Sequence, residues 1–478
     1  MNRREFLKYG VAGLTGLAVG RGLPWIFEHE AYSQILPVQS LNFTITDAIK
    51  GMVTDNAVNL AECYFWIFKE ANIPEDCPGP NIFATAGDTI QITVTNALDE
   101  PHAFFIPGVS TNPRVRIPPR PVFNSGPIAP GQTRTFRFRA PNPGTYMYFD
   151  NLNAPVNRVM GLHGAFIVMP KIPSVIPGRP VRNRITPYLR PTAGVQKLFN
   201  DLGNSAHFPG LAWDQGDPTT DTPPFRQYVW VLHQASPNLF EEVGRSAPGA
   251  AIRKPENFIN AFLKDPFIPT GKGTEASNRK AQYFTISGQS GHFAHNNPFI
   301  CPMNRVGEPA LVRVLNPGLW MHSLHMHANH VYVVAINGVV EANPIWVDTY
   351  TSQPMQTFDW LIPYTRPPDV PNSRGIGLPD PPMISLRGQP IWPPTEELGL
   401  FIPEQSDNLA AQLSPMCYPM HDHSEATQTA QGGNYNLGLI AGINFTGDRT
   451  TPGGVTTFPH APTIHGPDRT GPAGGHED

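Results

Sequence analysis

Two segments of the chain alternate apolar and polar side chains with a period of two, and this pattern limits the fold more than any other feature. They are residues 88–98, DTIQITVTNAL, and residues 133–141, TRTFRFRAP. Because successive side chains of a β-strand point to opposite faces, such alternation is typical of strands with one face in a core. The 55 prolines and 43 glycines among 478 residues disfavour long helices and indicate short strands joined by turns.

Strand patterns occur in two groups, which predicts two β-sandwich domains. The first group includes PGTYMYF and GAFIVMP, and the second runs from RQYVWVLHQ to NLGLIAGINF. In both groups a glycine–acidic pair precedes an alternating strand and a histidine-bearing strand follows, as expected after duplication of one plan. We predict a first domain over 37–172, a linker over 173–224, a second domain with insertions over 225–450 and a flexible tail over 451–478.

The first 30 residues are typical of a signal peptide and not of a folded domain. Residues 2–8, NRREFLK, resemble a twin-arginine export signal, and a weakly apolar run from Tyr9 to Gly20 follows. That run is too short and too rich in glycine to span a membrane. We therefore expect export by the twin-arginine route to the periplasm or the cell exterior, with no stable membrane span after signal removal.

Charge and cysteine content bound the partners and sites that the chain offers. The formal net charge of −4 gives no reason to expect nucleic acid as a partner. None of the four cysteines has the C-x-x-C spacing of a zinc site. In an oxidising compartment four cysteines can pair in three ways, and Cys63 and Cys77 are close enough in sequence to form one of these bridges.

Histidines are concentrated in two short tracts, MHSLHMHANH and PMHDHSE, which hold six of the 16 in the chain. Residues i and i+2 of a strand lie on one face, so His325 and His327 point together, as do His421 and His423. Two such strands can place four imidazoles around metal ions. Imidazole is a good ligand for copper, zinc, iron and nickel, so the sequence predicts a transition-metal site.

The same parity argument separates His322 and Asp422 from these four histidines. Each lies on the opposite face of its own segment, so the two are expected to share a second pocket if the strands are neighbours. A hard carboxylate beside an imidazole suits zinc or copper(II) better than copper(I). We therefore include both residues among the candidate metal ligands.

These motifs resemble those of the multicopper oxidase family, the cupredoxin-domain relatives of laccase and of two-domain nitrite reductase. PGPNIFATAGDTI, PGTYMY and GLHGAFIV resemble landmarks of a first domain, and GEPALVRVLNPGLWMHSLHMHANHVYVV resembles the copper-binding strand pair of a last domain. The resemblance covers residues 40–172 and 225–447 and implies an all-β fold of tandem cupredoxin-like Greek-key β-sandwich domains with long loops. Two-domain members commonly form trimers, so it also implies a homotrimer.

The resemblance implies a set of copper ligands in each domain. In the last domain it assigns His322 to a type 1 copper site. It assigns four further histidines to a type 2/type 3 copper cluster: His325, His327, His421 and His423. In the first domain only His102 matches a cluster histidine, with Phe104 at its partner position. Phe149 and Asn151 occupy the positions of the other first-domain pair. The implied ligand set is therefore incomplete.

Asp422 stands where the family has the cysteine of its type 1 site, and Thr427 stands where it has the next histidine. A blue copper site needs a soft thiolate, and the hard oxygen of an aspartate cannot replace it. We therefore predict that the type 1 site is absent. The alternative that Cys417 supplies the thiolate remains open, with an unusual Cys-x3-His spacing to His421.

Three function classes follow from these residues, and the last of them is a structural protein whose metal site is vestigial. The first is an exported multicopper-oxidase-like enzyme, an oxidoreductase that binds copper through its histidines and oxidises a small molecule or a metal ion with oxygen. The second is a non-catalytic periplasmic scaffold that binds copper or zinc. The first two predict a metal ion as partner, and the sequence fixes neither the number of copper ions nor the choice between copper and zinc.

Overall fold

The chain is described by a computed structural model over residues 35–37, 40–53, 60–109, 120–170, 186–203, 227–264, 283–297, 299–304, 309–327, 329–364, 417–424, 427 and 438–445. The predicted signal peptide at 1–30 and the predicted tail at 451–478 lie outside these ranges. Among the residues in these ranges, no helix is long and apolar enough to cross a membrane.

The first part of the chain forms ten described strands and one short helix. The strands are β1 (Ile35–Pro37), β2 (Ser40–Val53), β3 (Leu60–Glu70), β4 (Asn81–Thr85), β5 (Thr89–Asn96), β6 (Phe105–Ile106), β7 (Phe123–Asn124), β8 (Thr133–Arg139), β9 (Gly144–Phe149) and β10 (His163–Met169). Helix α1 (Val156–Val159) lies between β9 and β10.

These strands make two sheets whose inner faces share one core, the first sandwich. Their orders are β1-β4-β10-β9-β6-β7 and β3-β2-β5-β8. In β5 every second side chain is buried, as its alternation predicts. The aromatic strand β3 contributes Phe65, Trp66 and Phe68 to the core. The edge strand β8 exposes Arg134, and its other arginines likewise, and charge on an edge disfavours pairing with further strands.

The remaining described residues form a second sandwich and four α-helices. The strands are β11 (Gln227–Ala235), β12 (Tyr283–Ile286), β13 (Met303–Asn304), β14 (Ala310–Leu315), β15 (His322–Met326), β16 (Val331–Ile336), β17 (Val339–Val347), β18 (Thr349–Ser352), β19 (Thr357–Ile362), β20 (Cys417–Asp422) and β21 (Ile440–Phe445). The helices are α2 (Ala193–Gly203), α3 (Pro237–Arg245), α4 (Pro255–Lys264) and α5 (Gly291–Asn296). The sheet orders are β12-β11-β14-β19-β16-β17 and β13-β21-β20-β15-β18. The predicted all-β class is thereby confirmed.

The two sandwiches pack against each other through their six-stranded sheets. Strands β9, β11, β14 and β19 bury every residue and show no alternation, because each has a core on one face and the other sandwich on its second face. An apolar cluster fills the junction, with the buried members Phe83, Met147, Phe149, Ala165, Ile167, Val229, Val231 and Leu315. The relative position of the sandwiches is therefore set by a continuous apolar interface.

A buried ion pair of the second sandwich lies at this interface. Arg313 on β14 donates to Asp359 on β19 at 2.6 Å, and both side chains are almost fully buried. Asp359 also accepts from the hydroxyls of Thr145 on β9 and Tyr188 in the predicted linker, each at 2.6 Å. Gln227 accepts two further N–H groups of Arg313. One guanidinium and one carboxylate thus connect both sandwiches and the segment between them.

The predicted linker is more structured than its sequence indicates. Its residues 193–203 form α2, which buries Val195, Leu198 and Phe199 in the core of the second sandwich. A Cβ at Gly194 would lie 2.9 Å from the carbonyl oxygen of Ala342, so the helix sits close against β17. This segment is part of the second core and not a spacer. The predicted short helix in 253–265 is present as α4.

Candidate metal centre

Two neighbouring strands of the second sandwich bring the sequence-predicted histidines together. β15 and β20 pair in antiparallel register, with His325 opposite His421 and Leu324 opposite Asp422. His327 and His423 each lie two residues from one of the paired histidines and so share their face. We refer to His325, His327, His421 and His423 as the histidine cluster.

The imidazoles of the histidine cluster are close enough to share metal ions. One ring nitrogen from each of His325, His327 and His421 lies within 4.8 Å of the others. The Nε2 atoms of His327 and His421 are 2.9 Å apart. The ring of His423 is centred 5.4 Å from that of His325 and 5.9 Å from that of His421. The arrangement therefore offers three convergent imidazoles and a fourth at its exposed margin.

Hydrogen bonds outside the cluster orient two of the rings. His325 Nδ1 lies 2.8 Å from Thr349 Oγ1 on the adjacent strand β18. His421 Nδ1–H donates to its neighbour's carbonyl, Asp422 O, at 3.1 Å, which leaves Nε2 as the lone-pair atom. Burial, together with the neighbouring histidines, lowers the pKa of His421, so the ring is neutral at pH 7. A neutral, oriented imidazole is the form that binds a transition metal.

On the opposite face of the same strands, His322 and Asp422 contact each other directly. His322 Nδ1–H donates to Asp422 Oδ2 at 2.5 Å, and both side chains are fully buried. His322 Nε2 lies 2.8 Å from Gln234 Nε2. The second carboxylate oxygen accepts the backbone N–H groups of Ser323 and Ser424. The expected juxtaposition of His322 and Asp422 is therefore present.

The Asp422 carboxylate is stabilised as an anion within this network. Burial by itself would raise the pKa of Asp422, but the charge and hydrogen bond of His322 outweigh it, with additional bonds from Thr427 and Ser424. The net effect is a pKa below the ordinary value. Asp422 is thus saturated with hydrogen bonds to protein groups. A metal role for His322 or Asp422 remains a prediction, since an ion there would have to displace one of these bonds.

A second His–Asp pair occupies the first sandwich. His102 Nδ1 lies 2.7 Å from Asp150 Oδ2, and both side chains are fully buried. Asn157 on α1 donates to the same Oδ2 at 2.9 Å. The His102 Nε2 atom has no hydrogen-bond partner among the described residues. We call His102–Asp150 and His322–Asp422 the His–Asp pairs.

Register places the two His–Asp pairs at equivalent positions. His102 lies three residues before Phe105, which pairs with Phe149, and Asp150 follows Phe149. His322 lies three residues before His325, which pairs with His421, and Asp422 follows His421. His102 therefore corresponds to His322, and not to a cluster histidine as the resemblance assigned it. The equivalents of His325 and His421 are phenylalanines, whose rings meet edge to face at 5.3 Å.

A third group of potential metal ligands, which the sequence did not predict as a group, consists of Cys77, His163 and His233, and we call it the Cys–His pocket. Ligand atoms of the three lie within 4.8 Å of one another, and all three residues are buried. Burial lowers the pKa of His233 to about 3 and that of His163 well below its ordinary value, so both rings are neutral. Because long stretches of sequence separate the three, no spacing motif could reveal them.

Two cysteine predictions have different outcomes. Cys77 is a free thiol, so the candidate bridge between Cys63 and Cys77 is wrong. Cys417 begins β20, where its backbone pairs with Asn444. Its side chain lies outside the described part of the chain, so the alternative of a Cys417 ligand stays a prediction.

Comparisons with known proteins place the first sandwich in a family context. Residues 69–172 match a family model described as multicopper oxidase. Laccase ustL from Ustilaginoidea virens is 31% identical over 94 residues, which are 20% of this chain and only 14% of that protein. The family match ends before the second sandwich, in which the histidine cluster lies.

Solved structures that are similar to this chain have low sequence identity to it. A blue copper oxidase from Nitrosomonas europaea is 17% identical with a TM-score of 0.47, over 85% of either chain. The copper nitrite reductase from the same organism is 16% identical with a TM-score of 0.42, over 88% of this chain and 98% of the other. Neither likeness bears on the chemistry of the histidine cluster.

Proposed function

We propose that this chain, whose residues 69–172 belong to the multicopper oxidase family, binds copper at its histidine cluster and uses it to oxidise a small molecule or a metal ion with oxygen. One observation carries the proposal: three imidazoles from two paired strands converge within 4.8 Å. Copper bound there would supply one-electron transfer to oxygen, chemistry that protein side chains alone do not provide.

The donor set of the histidine cluster fits copper. Its ligands are imidazoles with no carboxylate among them, which suits copper or zinc and not calcium or magnesium. Thr349 orients His325, and the backbone carbonyl of Asp422 orients His421, as outer partners commonly do around metal-binding histidines. His423 is exposed and His325 and His327 are half-buried, so small reactants can reach the cluster from solvent.

The His–Asp pairs limit the kind of oxidase that we propose. At both equivalent positions a carboxylate, and not a thiolate, contacts the buried histidine. Without the soft thiolate of a blue centre, electrons would enter at the histidine cluster itself. The proposal is therefore an enzyme whose substrates bind at the cluster, with weak turnover of bulky phenols.

A second candidate function is supported by the same His–Asp pairs. Each pair satisfies its carboxylate with protein hydrogen bonds, and among the described residues the side chain that contacts each histidine there is a carboxylate and not a thiolate. A non-catalytic scaffold that holds copper or zinc would need no thiolate to transfer electrons. Oxygen uptake separates the two functions, because a carrier retains metal without consuming oxygen.

Removal of one cluster imidazole tests the proposal. We expect His325→Ala to weaken copper binding by at least about 100-fold, more than the loss of an outer-sphere partner usually costs. Copper per chain after dialysis against a weak chelator, and oxygen uptake with ferrous or cuprous ions and small phenols, are the measurements. The matched control is His330→Ala, since His330 is exposed and stacks on Trp346 outside the cluster.

Both variants retaining wild-type copper would overturn the site assignment. If His325→Ala loses copper, His330→Ala keeps it and the wild type takes up no oxygen, the result would favour the non-catalytic scaffold. A graded variant refines the result: Thr349→Val removes the hydroxyl that orients His325 and should weaken copper binding by about 10-fold.

Export and assembly are further parts of the proposal. The NRREFLK segment supports twin-arginine export to the periplasm or beyond, and replacement of Arg3 and Arg4 by lysine should leave the protein in the cytoplasm of its host. A homotrimer is proposed from the resemblance to two-domain relatives. Sedimentation velocity of the mature chain would measure it directly.

A further inference from the structure

We propose that the Cys–His pocket binds one copper(I) ion, at a site separate from the histidine cluster. Cys77 precedes β4, His163 begins β10, and His233 lies in β11 of the second sandwich. Their ligand atoms lie within 4.8 Å of one another, and the rings of the two histidines are centred 4.3 Å apart. The ion would join the two sandwiches where their six-stranded sheets meet.

Hydrogen bonding fixes both imidazoles in the tautomer that a metal requires. His163 Nδ1–H donates to the carbonyl oxygen of Arg158 at 2.9 Å. His233 Nε2–H donates to the carbonyl oxygen of Val159 at 2.8 Å. Each ring therefore keeps its other nitrogen as a lone-pair donor, the outer-sphere arrangement that usually accompanies metal-binding histidines. Two adjacent carbonyl groups of α1 thus each accept a hydrogen bond from one of the two rings and orient it.

One of the remaining nitrogens has no partner. His163 is fully buried, and its Nε2 makes no hydrogen bond to any described residue. A buried polar atom left without a partner costs free energy and is uncommon in native structures, so it calls for an occupant. Cys77 Sγ and a ring nitrogen of His233 lie within 4.8 Å of a ring nitrogen of His163, and they are the potential co-ligands.

Backbone lies close to Cys77 on two sides. A Cβ on Gly161 would lie 3.0 Å from Cys77 Sγ and 2.5 Å from the carbonyl oxygen of Trp66. A Cβ on Gly288 would lie 2.0 Å from the carbonyl oxygen of Cys77. Glycine at both positions permits this close approach. The close backbone favours a small occupant beside the sulfur, such as a bare ion.

The net charge of the metal–thiolate complex favours copper(I) over zinc at this site. On binding, the Cys77 thiol loses its proton to solvent and the sulfur becomes a thiolate, so copper(I) gives a neutral complex and zinc leaves one net positive charge. The neighbouring cations are Arg158 and Lys50, and the adjacent carboxylate of Asp76 is already paired with Lys50 at 2.5 Å. An uncompensated buried positive charge is costly, whereas soft thiolate and imidazole donors suit copper(I).

The test compares Cys77→Ser with Cys63→Ser in the full mature chain. Cys63 is equally buried but lies outside the Cys–His pocket. Each protein is refolded without oxygen in the presence of copper(I), exchanged against a competing chelator, and assayed for copper and zinc per chain. We expect Cys77→Ser and a second variant, His233→Gln, to hold about one copper fewer than the wild type and Cys63→Ser.

X-ray absorption of the bound copper gives an independent readout. We expect a copper–sulfur contribution in the wild type that disappears in Cys77→Ser and persists in His325→Ala, which removes copper from the histidine cluster alone. The same copper content in wild type, Cys77→Ser and His233→Gln would overturn the proposal. Zinc retained in place of copper, or an unchanged sulfur signal in Cys77→Ser, would also overturn it.

The two copper proposals fail independently. If Cys77→Ser loses one copper ion but keeps the copper that His325→Ala removes, the chain has both a functional histidine cluster and a second site. If Cys77→Ser does not refold, the His233→Gln variant and the sulfur signal of His325→Ala decide the question. Circular dichroism of each variant establishes whether it has folded.

Discussion

Asp359→Ala is expected to lower the free energy of unfolding by about 3–5 kcal/mol, the usual cost of leaving a buried charge without its partner. Arg313 is fully buried, and Asp359 is the carboxylate it contacts, at 2.6 Å. Among the described residues, the acceptors that remain for the guanidinium after the substitution are neutral, Gln227 and the hydroxyl of Thr145. Since domains are commonly stable by only about 5–15 kcal/mol, this is a large fraction of the total.

The loss includes a bond between the sandwiches, the one from Thr145 to Asp359. Asp359 binds Thr145 of the first sandwich, Tyr188 of the intervening segment and Arg313 of the second. Removing the carboxylate therefore weakens three connections at once, while the apolar cluster beside them remains. We expect the urea midpoint to fall for the tryptophan fluorescence of both sandwiches, because each depends on the shared interface.

Two controls separate this effect from a general loss of surface charge. Glu241→Ala removes an exposed pair with Arg245 on α3, and exposed pairs contribute at most about 1 kcal/mol. The double variant Arg313→Met with Asp359→Leu removes both buried charges and should recover much of the lost stability. A change below about 1 kcal/mol in Asp359→Ala would contradict the argument, since such pairs usually cost more when broken.

Short-range pattern predicted the elements well because strand geometry is local. The alternation in residues 88–98 places β5 and its buried face correctly. The H-x-H spacing of His325 and His327 fixes a common face without knowledge of the sheet order. What the sequence could not supply was the neighbour of that strand. The pairing of β15 with β20 makes two separate motifs into one cluster, and 94 residues separate His327 from His421.

Features that combine distant parts of the chain could not be predicted from the sequence for the same reason. The Cys–His pocket combines a loop, the start of β10 and the middle of β11. Its three residues are therefore too far apart in sequence to form a recognisable motif. Arg313 reads as an ordinary polar residue of an alternating strand, yet β14 is buried on both faces. The register that places His102 at the position equivalent to that of His322 could not be predicted either, because sequence similarity does not specify which residue lies opposite Phe149.

Asp422→Ala is the second variant with a large expected effect, a loss of about 3 kcal/mol or more in the free energy of unfolding. The carboxylate accepts three buried or half-buried donors, His322 Nδ1–H and the backbone N–H groups of Ser323 and Ser424. Each donor left without an acceptor costs about 1–3 kcal/mol. The measurement is urea unfolding of the metal-free chain, so that metal binding does not contribute.

Asp422→Asn distinguishes a hydrogen-bonding role from a metal-binding one. The amide keeps an oxygen for Ser323 and Ser424 but presents no anion to His322, so we expect a stability loss smaller than that of Asp422→Ala. If Asp422 only anchors the strand, the copper content of Asp422→Asn equals that of the wild type.

Copper loss from Asp422→Asn, with stability nearly unchanged, would instead make the carboxylate a ligand. The His–Asp pair would then open on metal binding, and His322 would be its partner in the second pocket that strand parity predicts. Unchanged copper with reduced stability would mean that Asp422 has a structural role and fastens β15 to β20. The copper that we propose for the second sandwich would then be held by the histidine cluster without Asp422.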